Sequence, residues 1–140
     1  MTRVPASWLA QARIRDRDCG RVVAPATEWR PDWADDVRNV REVETFQPWV
    51  VKVAKANGWT TYHTHDPRRS DPGWLDLTLG HLEWGRAEFW ELKTERGKLT
   101  PEQSRWIQIL RQAGHVAECY RPGDWPRIVA TLTRKERDEC

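Results

Sequence analysis

Between Gly73 and Gln103 the hydrophobic pattern changes period once, and that change limits the folds open to the chain. Gly73-Trp74-Leu75-Asp76-Leu77 and, after a turn, Phe89-Trp90-Glu91-Leu92-Lys93-Thr94 alternate as strands do, whereas Leu99-Thr100-Pro101-Glu102-Gln103 opens a helix. A strand sends alternate residues to opposite faces, so Glu91 and Lys93 share one face while Trp90, Leu92 and Thr94 take the other. If residues 75–79 pair with 88–94, Asp76 lies beside Glu91, opposite Leu75, Leu77 and Leu79. Two carboxylates and a lysine then meet in one place. Carboxylate oxygens suit a hard divalent cation such as Mg²⁺, with Mn²⁺ as substitute. A lysine two residues along can orient water or meet charge on a phosphoryl oxygen, so such a set can hydrolyse phosphodiesters. An aspartate inside an apolar strand is costly without a partner, which favours the metal reading of Asp76.

The flanking elements follow from the same signals. Phe46, Trp49, Val50, Val53 and Ala54 recur at helical spacing, with Pro48 in the first turn and Asn57-Gly58 as the stop. Residues 59–64 read as a strand, and 66–73 as a loop punctuated by Asp66-Pro67 and Pro72-Gly73. Thr100 is expected to cap a helix with Pro101 in its first position and Gln103 closing a capping box. Trp106, Ile109, Leu110 and Ala113 form its expected apolar stripe, and Gly114 ends it. Residues 115–120 read as a further strand. Asp124 is expected to cap a last helix carrying Ile128, Val129 and Leu132. The order is helix, three strands, helix, strand, helix, an α/β arrangement with a sheet flanked by helices.

Residues 1–40 lack sustained periodicity and hold Arg3, Arg13, Arg15, Arg17, Arg21, Pro5, Pro25 and Pro31, so they read as an extended arm, solvated or else contacting DNA or a second copy. The domain is expected over 41–133, with a polar tail at 134–140. Ten tryptophans stand in 140 residues. Trp49, Trp74, Trp90, Trp106 and Trp125 read as core, while Trp8, Trp29 and Trp33 sit in segments too polar to offer one. Cys19, Cys119 and Cys140 lack metal-ligand spacing, as do His65, His81 and His115. With no membrane-length apolar run, the expectation is a soluble protein of a reducing compartment, the cytoplasm. A net charge of +2 does not announce nucleic-acid binding, so that must come from local clusters.

Asp76 followed by Glu91-Leu92-Lys93 resembles the D…ExK signature of the PD-(D/E)XK nuclease superfamily. The longer text, Tyr62-His63-Thr64 with Arg68-Arg69-Ser70-Asp71-Pro72-Gly73, then residues 91–103, then Arg121-Pro122-Gly123-Asp124-Trp125, resembles its VRR-NUC branch over roughly 42–130. The resemblance implies an αβββαβ core with a mixed sheet. It also implies metal ligation by Asp76, Glu91 and the Leu92 backbone carbonyl, with Lys93 aligning water. Leu75 stands where the family usually has proline, a backbone-shaping position without chemistry.

Gln103 carries two readings, the capping box and the family's supporting glutamine. The family generally has a glutamate four residues before a glutamine equivalent to Gln47; here that position is Val43. Glu44 is therefore taken as the upstream acid, with Glu42 as alternative. Arg68, Arg69, Arg96, Lys98 and Arg105 are candidate phosphate contacts, and His63 matches a recurrent family position near substrate. The resemblance implies a Mg²⁺-dependent DNA endonuclease acting on branched DNA such as four-way junctions, as a homodimer matching the junction's two scissile strands. A non-cleaving DNA-binding module of the same fold, and a restriction-type nuclease on linear duplex, are the alternatives.

Overall fold

A computed structural model describes residues 29–69 and 71–135. Helix α1 (Gln47–Ala56) leads to strand β1 (Thr60–His63), then β2 (Leu77–His81) and β3 (Arg86–Leu92). Helix α2 (Pro101–Gln112), strand β4 (Val116–Tyr120) and helix α3 (Trp125–Thr133) follow. The order is the expected one.

The strands lie side by side as β1-β2-β3-β4. β1, β2 and β3 form an antiparallel meander, with His63 opposite Leu77 and Leu77 opposite Trp90. β4 joins β3 in parallel, with Leu92 beside Tyr120. Parallel neighbours need a long crossover, and α2 supplies it. Consequently β1, β3 and β4 all end, and β2 begins, at one end of the sheet. The connections 64–76 and 93–100 both leave from there.

The stops of α1 and α2 are built as their glycines require. Gly58 and Gly114 sit at positive φ of 87°. Gly58 N–H reaches Lys55 O and Trp59 N–H reaches Ala54 O, a pattern repeated by Gly114 on Arg111 and His115 on Leu110. Those paired bonds satisfy carbonyls that a helix end leaves open.

Two cores sandwich the sheet. On one face Leu77, Leu79, Trp90, Leu92 and Tyr120 pack against Val50, Val53 and Ala54 of α1 and Ile128, Val129 and Leu132 of α3. On the other, Ile107 and Leu110 of α2 cover Leu75 and Ala117, with Trp74, Phe89, Leu99 and Cys119 around them. Leu75 thus departs from expectation. The strand begins only at Leu77, and a bend at Asp76 breaks the alternation, so Leu75 faces away from Leu77 and Leu79. The stripe of α2 is also turned from the expected one: Ile107 and Leu110 are buried, while Trp106 is 37% and Ile109 44% exposed and Ala113 is exposed. Gln103, Ile107 and Leu110 define the inward face at i, i+4, i+7. Trp106 instead lies edge-on to Trp74, 5.0 Å between ring centroids. Asp124 precedes α3 without capping it by side chain; its Oδ2 accepts from Arg121 N–H at 2.8 Å.

The last residues of the expected arm pack into the larger core. Residues Asp32–Asp35 and Val37–Asn39 form 3₁₀ turns, and Trp33, Ala34 and Val40 are buried in the larger core. Trp33 meets Trp125 edge-on at 5.2 Å, and Trp125 Nε1 donates to Trp29 O at 2.7 Å. Trp29 and Trp33 therefore do have a core. Short 3₁₀ turns carry no sustained period, which is why the pattern hid it. Trp8, the rest of the arm and the tail beyond Lys135 lie outside the described residues. Trp33→Ala is expected to lower stability by about 3–5 kcal/mol in urea denaturation, the usual cost of truncating a buried tryptophan. A loss under about 1 kcal/mol, within the range of surface substitutions, would show the segment to be peripheral.

Candidate metal centre

Strand β3 carries two buried glutamates on opposite faces, and they are treated differently. Glu88 has both oxygens answered: Trp90 Nε1 donates to Oε1 at 3.0 Å, and Arg86 pairs with Oε2. Glu91, on the α2 side, has one oxygen crowded and one empty. Its Oε1 accepts from Gln103 Nε2 at 2.7 Å and lies 2.9 Å from Lys93 Nζ. Its Oε2 is buried with no hydrogen-bond partner. A buried carboxylate oxygen without a donor is costly, and a cation is its natural complement.

The sheet register brings Asp76 to the same place. Leu77 pairs with Trp90, so the residue just before β2 falls beside Glu91. Asp76 Oδ2 accepts the Leu92 N–H at 2.9 Å, which ties Leu92 to the site through its amide. The third acid is Glu42, and the oxygens offered by Glu42, Asp76 and Glu91 lie within 4.8 Å of one another.

Glu44, the acid expected upstream, is elsewhere: it pairs with Arg41 at 2.9 Å, its side chain 66% exposed. The reason is local. Residues Glu42–Phe46 form a π-helical turn, with Phe46 N–H on Arg41 O and Gln47 N–H on Glu42 O. An α-helix continued backwards from Gln47 would put Glu44 on the glutamine's face. The wider turn, a form frequent at functional sites, brings Glu42 inward instead.

The electrostatics follow from burial. It lifts the Glu91 carboxyl to about 7, with the nearby Asp76 charge adding to the rise and Lys93 opposing it. Burial likewise raises Asp76, against the Leu92 amide and Lys93. Glu42 is raised by burial and by Asp76, against Lys93 and a backbone hydrogen bond from Thr94. Burial alone would lower Lys93, but Glu91, Glu42 and Asp76 together hold it above its ordinary value. Three carboxylates facing one ammonium leave two negative charges, which a divalent cation balances. The donor set, all oxygen with one acceptor of Glu91 unused, fits a hard divalent cation.

Gln103 reconciles its two readings. Its Oε1 accepts from Thr100 N–H at 2.9 Å and its N–H meets Thr100 Oγ1, the expected capping box, while its Nε2 holds Glu91. Both ends of the amide are used, which fixes its orientation.

The candidate phosphate contacts are not among the clustered carboxylates and their partners. Arg68 and Arg69 lie exposed in the turn Pro67–Arg69, both paired with Asp66, at 3.2 and 3.5 Å. Arg96 and Lys98 are exposed on the 93–100 connection, and Arg105 on α2. His63 ends β1 opposite Leu77, its ring 4.2 Å from that of His65. Arg121, absent from the expected site, donates to three carbonyls of the 93–100 connection. In the sequence it is marked only as the first residue of the Arg121–Trp125 stretch that carries part of the resemblance. Among the described residues no helix is long and apolar enough to cross a membrane.

A family model described as the VRR-NUC domain matches residues 11–121. Neither the curated proteins nor the solved structures compared with it offer a match. The mixed four-stranded sheet flanked by helices is that of a PD-(D/E)XK-like nuclease fold. With well over half of its length matched, the chain belongs to the VRR-NUC domain family, a family of nuclease-type domains.

Proposed function

We propose that the protein is a Mg²⁺-dependent or Mn²⁺-dependent endonuclease that hydrolyses phosphodiester bonds in branched DNA such as four-way junctions, acting as a homodimer in the cytoplasm. The observation that carries the nuclease reading is Glu91 Oε2, buried and unpartnered beside Asp76, Glu42 and Lys93. When bound, the cation supplies Lewis-acid activation of water and neutralises charge on a phosphoryl oxygen. Asp76, Glu91 and Glu42 would hold it, with the Leu92 carbonyl as a further ligand. Lys93 would orient the attacking water and donate to a phosphate oxygen where charge builds. Gln103 keeps the Glu91 carboxylate in place by occupying Oε1.

His63, Arg68, Arg69, Arg96, Lys98 and Arg105 are the proposed DNA contacts. They sit at the end of β1, on the two connections leaving the metal end of the sheet and on α2, where they can meet backbone phosphates. The substrate class rests on the family resemblance and on the symmetry of a junction with two scissile strands. Incubating pure protein with duplex, flap, nicked and four-way-junction DNA, with Mg²⁺, Mn²⁺ or EDTA, tests all of this. Junction cleavage by a dimer is expected, lost in EDTA. Equal cutting of linear duplex by a monomer would remove the junction reading, and no cutting of any substrate would favour a DNA-binding module.

The acids also predict how the metal-free protein responds to pH. Glu91 has its folded pKa raised from 4.5 to about 7. Between those values the folded state holds a proton that the unfolded chain has released, so this group's contribution is full below 4.5 and is lost as pH rises through about 7. Without metal, this cluster should therefore make the protein more stable at about pH 5 than at about pH 8. At a fixed concentration, added Mn²⁺ should raise the melting temperature more at the higher pH, where the carboxylates are more fully charged and Kd is lower; a concentration of 100 times Kd stabilises the fold by about 2.7 kcal/mol. Thermal unfolding in EDTA and in Mn²⁺ at both pH values checks this, and a Mn²⁺ effect independent of pH would contradict it.

A further inference from the structure

Arg121 lies just beyond β4, and its guanidinium gathers three carbonyls of one connection. Nη1 donates to Thr94 O and to Gly97 O, both at 2.6 Å, and more loosely to Glu95 O at 3.4 Å. The next turn grips the same connection from the other side: Gly123 N–H donates to Glu95 Oε1. A Cβ on Gly123 would meet that oxygen at 2.8 Å, so a larger residue there would push the Glu95 carboxylate aside. Lys93 N–H on Tyr120 O, at 3.0 Å, fixes where the connection begins. Its far end is Thr100, the cap of α2.

The connection thus begins at Lys93 and ends three residues before Gln103, and these two residues are the donors on Glu91 Oε1. Its second residue, Thr94, also hydrogen-bonds the Glu42 carboxylate through its backbone. A path shifted by even an ångström would pull one donor from Oε1 or release Glu42. All three contacts run from Nη1, whose two N–H directions the planar guanidinium fixes, whereas the donors of an ammonium rotate at the end of a flexible stem.

We infer that Arg121 is a positioning residue for the metal centre: by tying Thr94, Glu95 and Gly97 it sets the separation of Lys93 and Gln103, which keeps Glu91 Oε2 turned toward the cation. The inference rests on the metal-dependent reading of the site. Arg121 bonds the carbonyls of the connection rather than the clustered carboxylates, so it acts through the connection.

The test compares Arg121→Lys and Arg121→Ala with wild type. Mn²⁺ affinity, measured calorimetrically without DNA, should weaken about 10–100-fold in each, the usual effect of losing a group that orients metal ligands. The kcat for DNA cleavage should fall by a similar factor while KM changes little, because the exposed basic side chains remain. Millimolar free guanidinium should restore part of the Mn²⁺ affinity of Arg121→Ala and leave wild type unaffected. Wild-type Mn²⁺ affinity in either folded variant overturns the inference. Loss of fold in both does so too, by making Arg121 a determinant of stability alone. A wild-type protein that binds Mn²⁺ but cuts no DNA would sink the nuclease reading, while the Mn²⁺ comparison would still decide the role of Arg121.

Discussion

Replacing Asp76 or Glu91 by alanine is expected to lower DNA cleavage by at least about a thousandfold with the fold and DNA binding largely retained, since each substitution removes a ligand from a small carboxylate site. The exposed arginines and lysine proposed to meet the phosphates are not touched by either change. Glu91→Gln sharpens the expectation. The amide keeps an oxygen for Gln103 and Lys93 but carries no charge, so it relieves the repulsion from Asp76 and the burial of an ion, the two causes that raise the Glu91 carboxyl. In the absence of metal this variant should be at least as stable as wild type near pH 8, and inactive. Such opposition between activity and stability is expected where a protein collects buried charge for a purpose. Cleavage assays with Mg²⁺ and with Mn²⁺, together with urea unfolding in EDTA, provide the check. Near wild-type cutting by the alanine variant at either position would remove the site assignment.

Lys93→Ala should lower the rate by about a hundred- to a thousandfold, the scale seen when one preorganised donor to a developing charge is lost. Its effect on stability should have the opposite sign to that of Glu91→Gln. Lys93 is the cation that faces Glu42, Asp76 and Glu91 alike. Without it three carboxylates stand together uncompensated, and the metal-free protein should lose stability at neutral pH. Lys93→Arg should recover part of that stability without recovering the rate, because a planar guanidinium cannot take an ammonium's place beside a water and a phosphate. Single-turnover cleavage and thermal melts of the two variants separate these effects. Full activity of the arginine variant would show that charge alone is needed at this position.

Where a period or a cap was long enough to read, the sequence was sufficient. The element order, the glycine stops at Gly58 and Gly114 and the Thr100–Gln103 capping box all rest on short-range backbone chemistry, and all are present. Asp76, Glu91 and Lys93 were legible as neighbours because strand pairing converts spacing into adjacency. Several features escaped, among them the face taken by Leu75, the missing Asp124 cap and the upstream acid; three others show why. The rotation of α2 is set by where Gln103 must reach, a tertiary demand that turns Trp106 and Ile109 outward despite their hydrophobicity. The burial of Trp33 depends on 3₁₀ turns too short to show a period. The grip of Arg121 runs to backbone carbonyls more than twenty residues away, and main-chain acceptors leave no mark in a sequence.

The π-helical turn at Glu42–Phe46 also decides which acid the chain can offer from this segment. Glu42 stands five residues before Gln47, one more than an α-helical turn spans. A turn bonded from i to i−5 absorbs one residue more than a turn bonded from i to i−4. The widened turn thus carries Glu42 to Asp76 and Glu91 while leaving Val43 69% exposed. Counted along the chain, the acid is one position too far; measured in space, it lies with its partners.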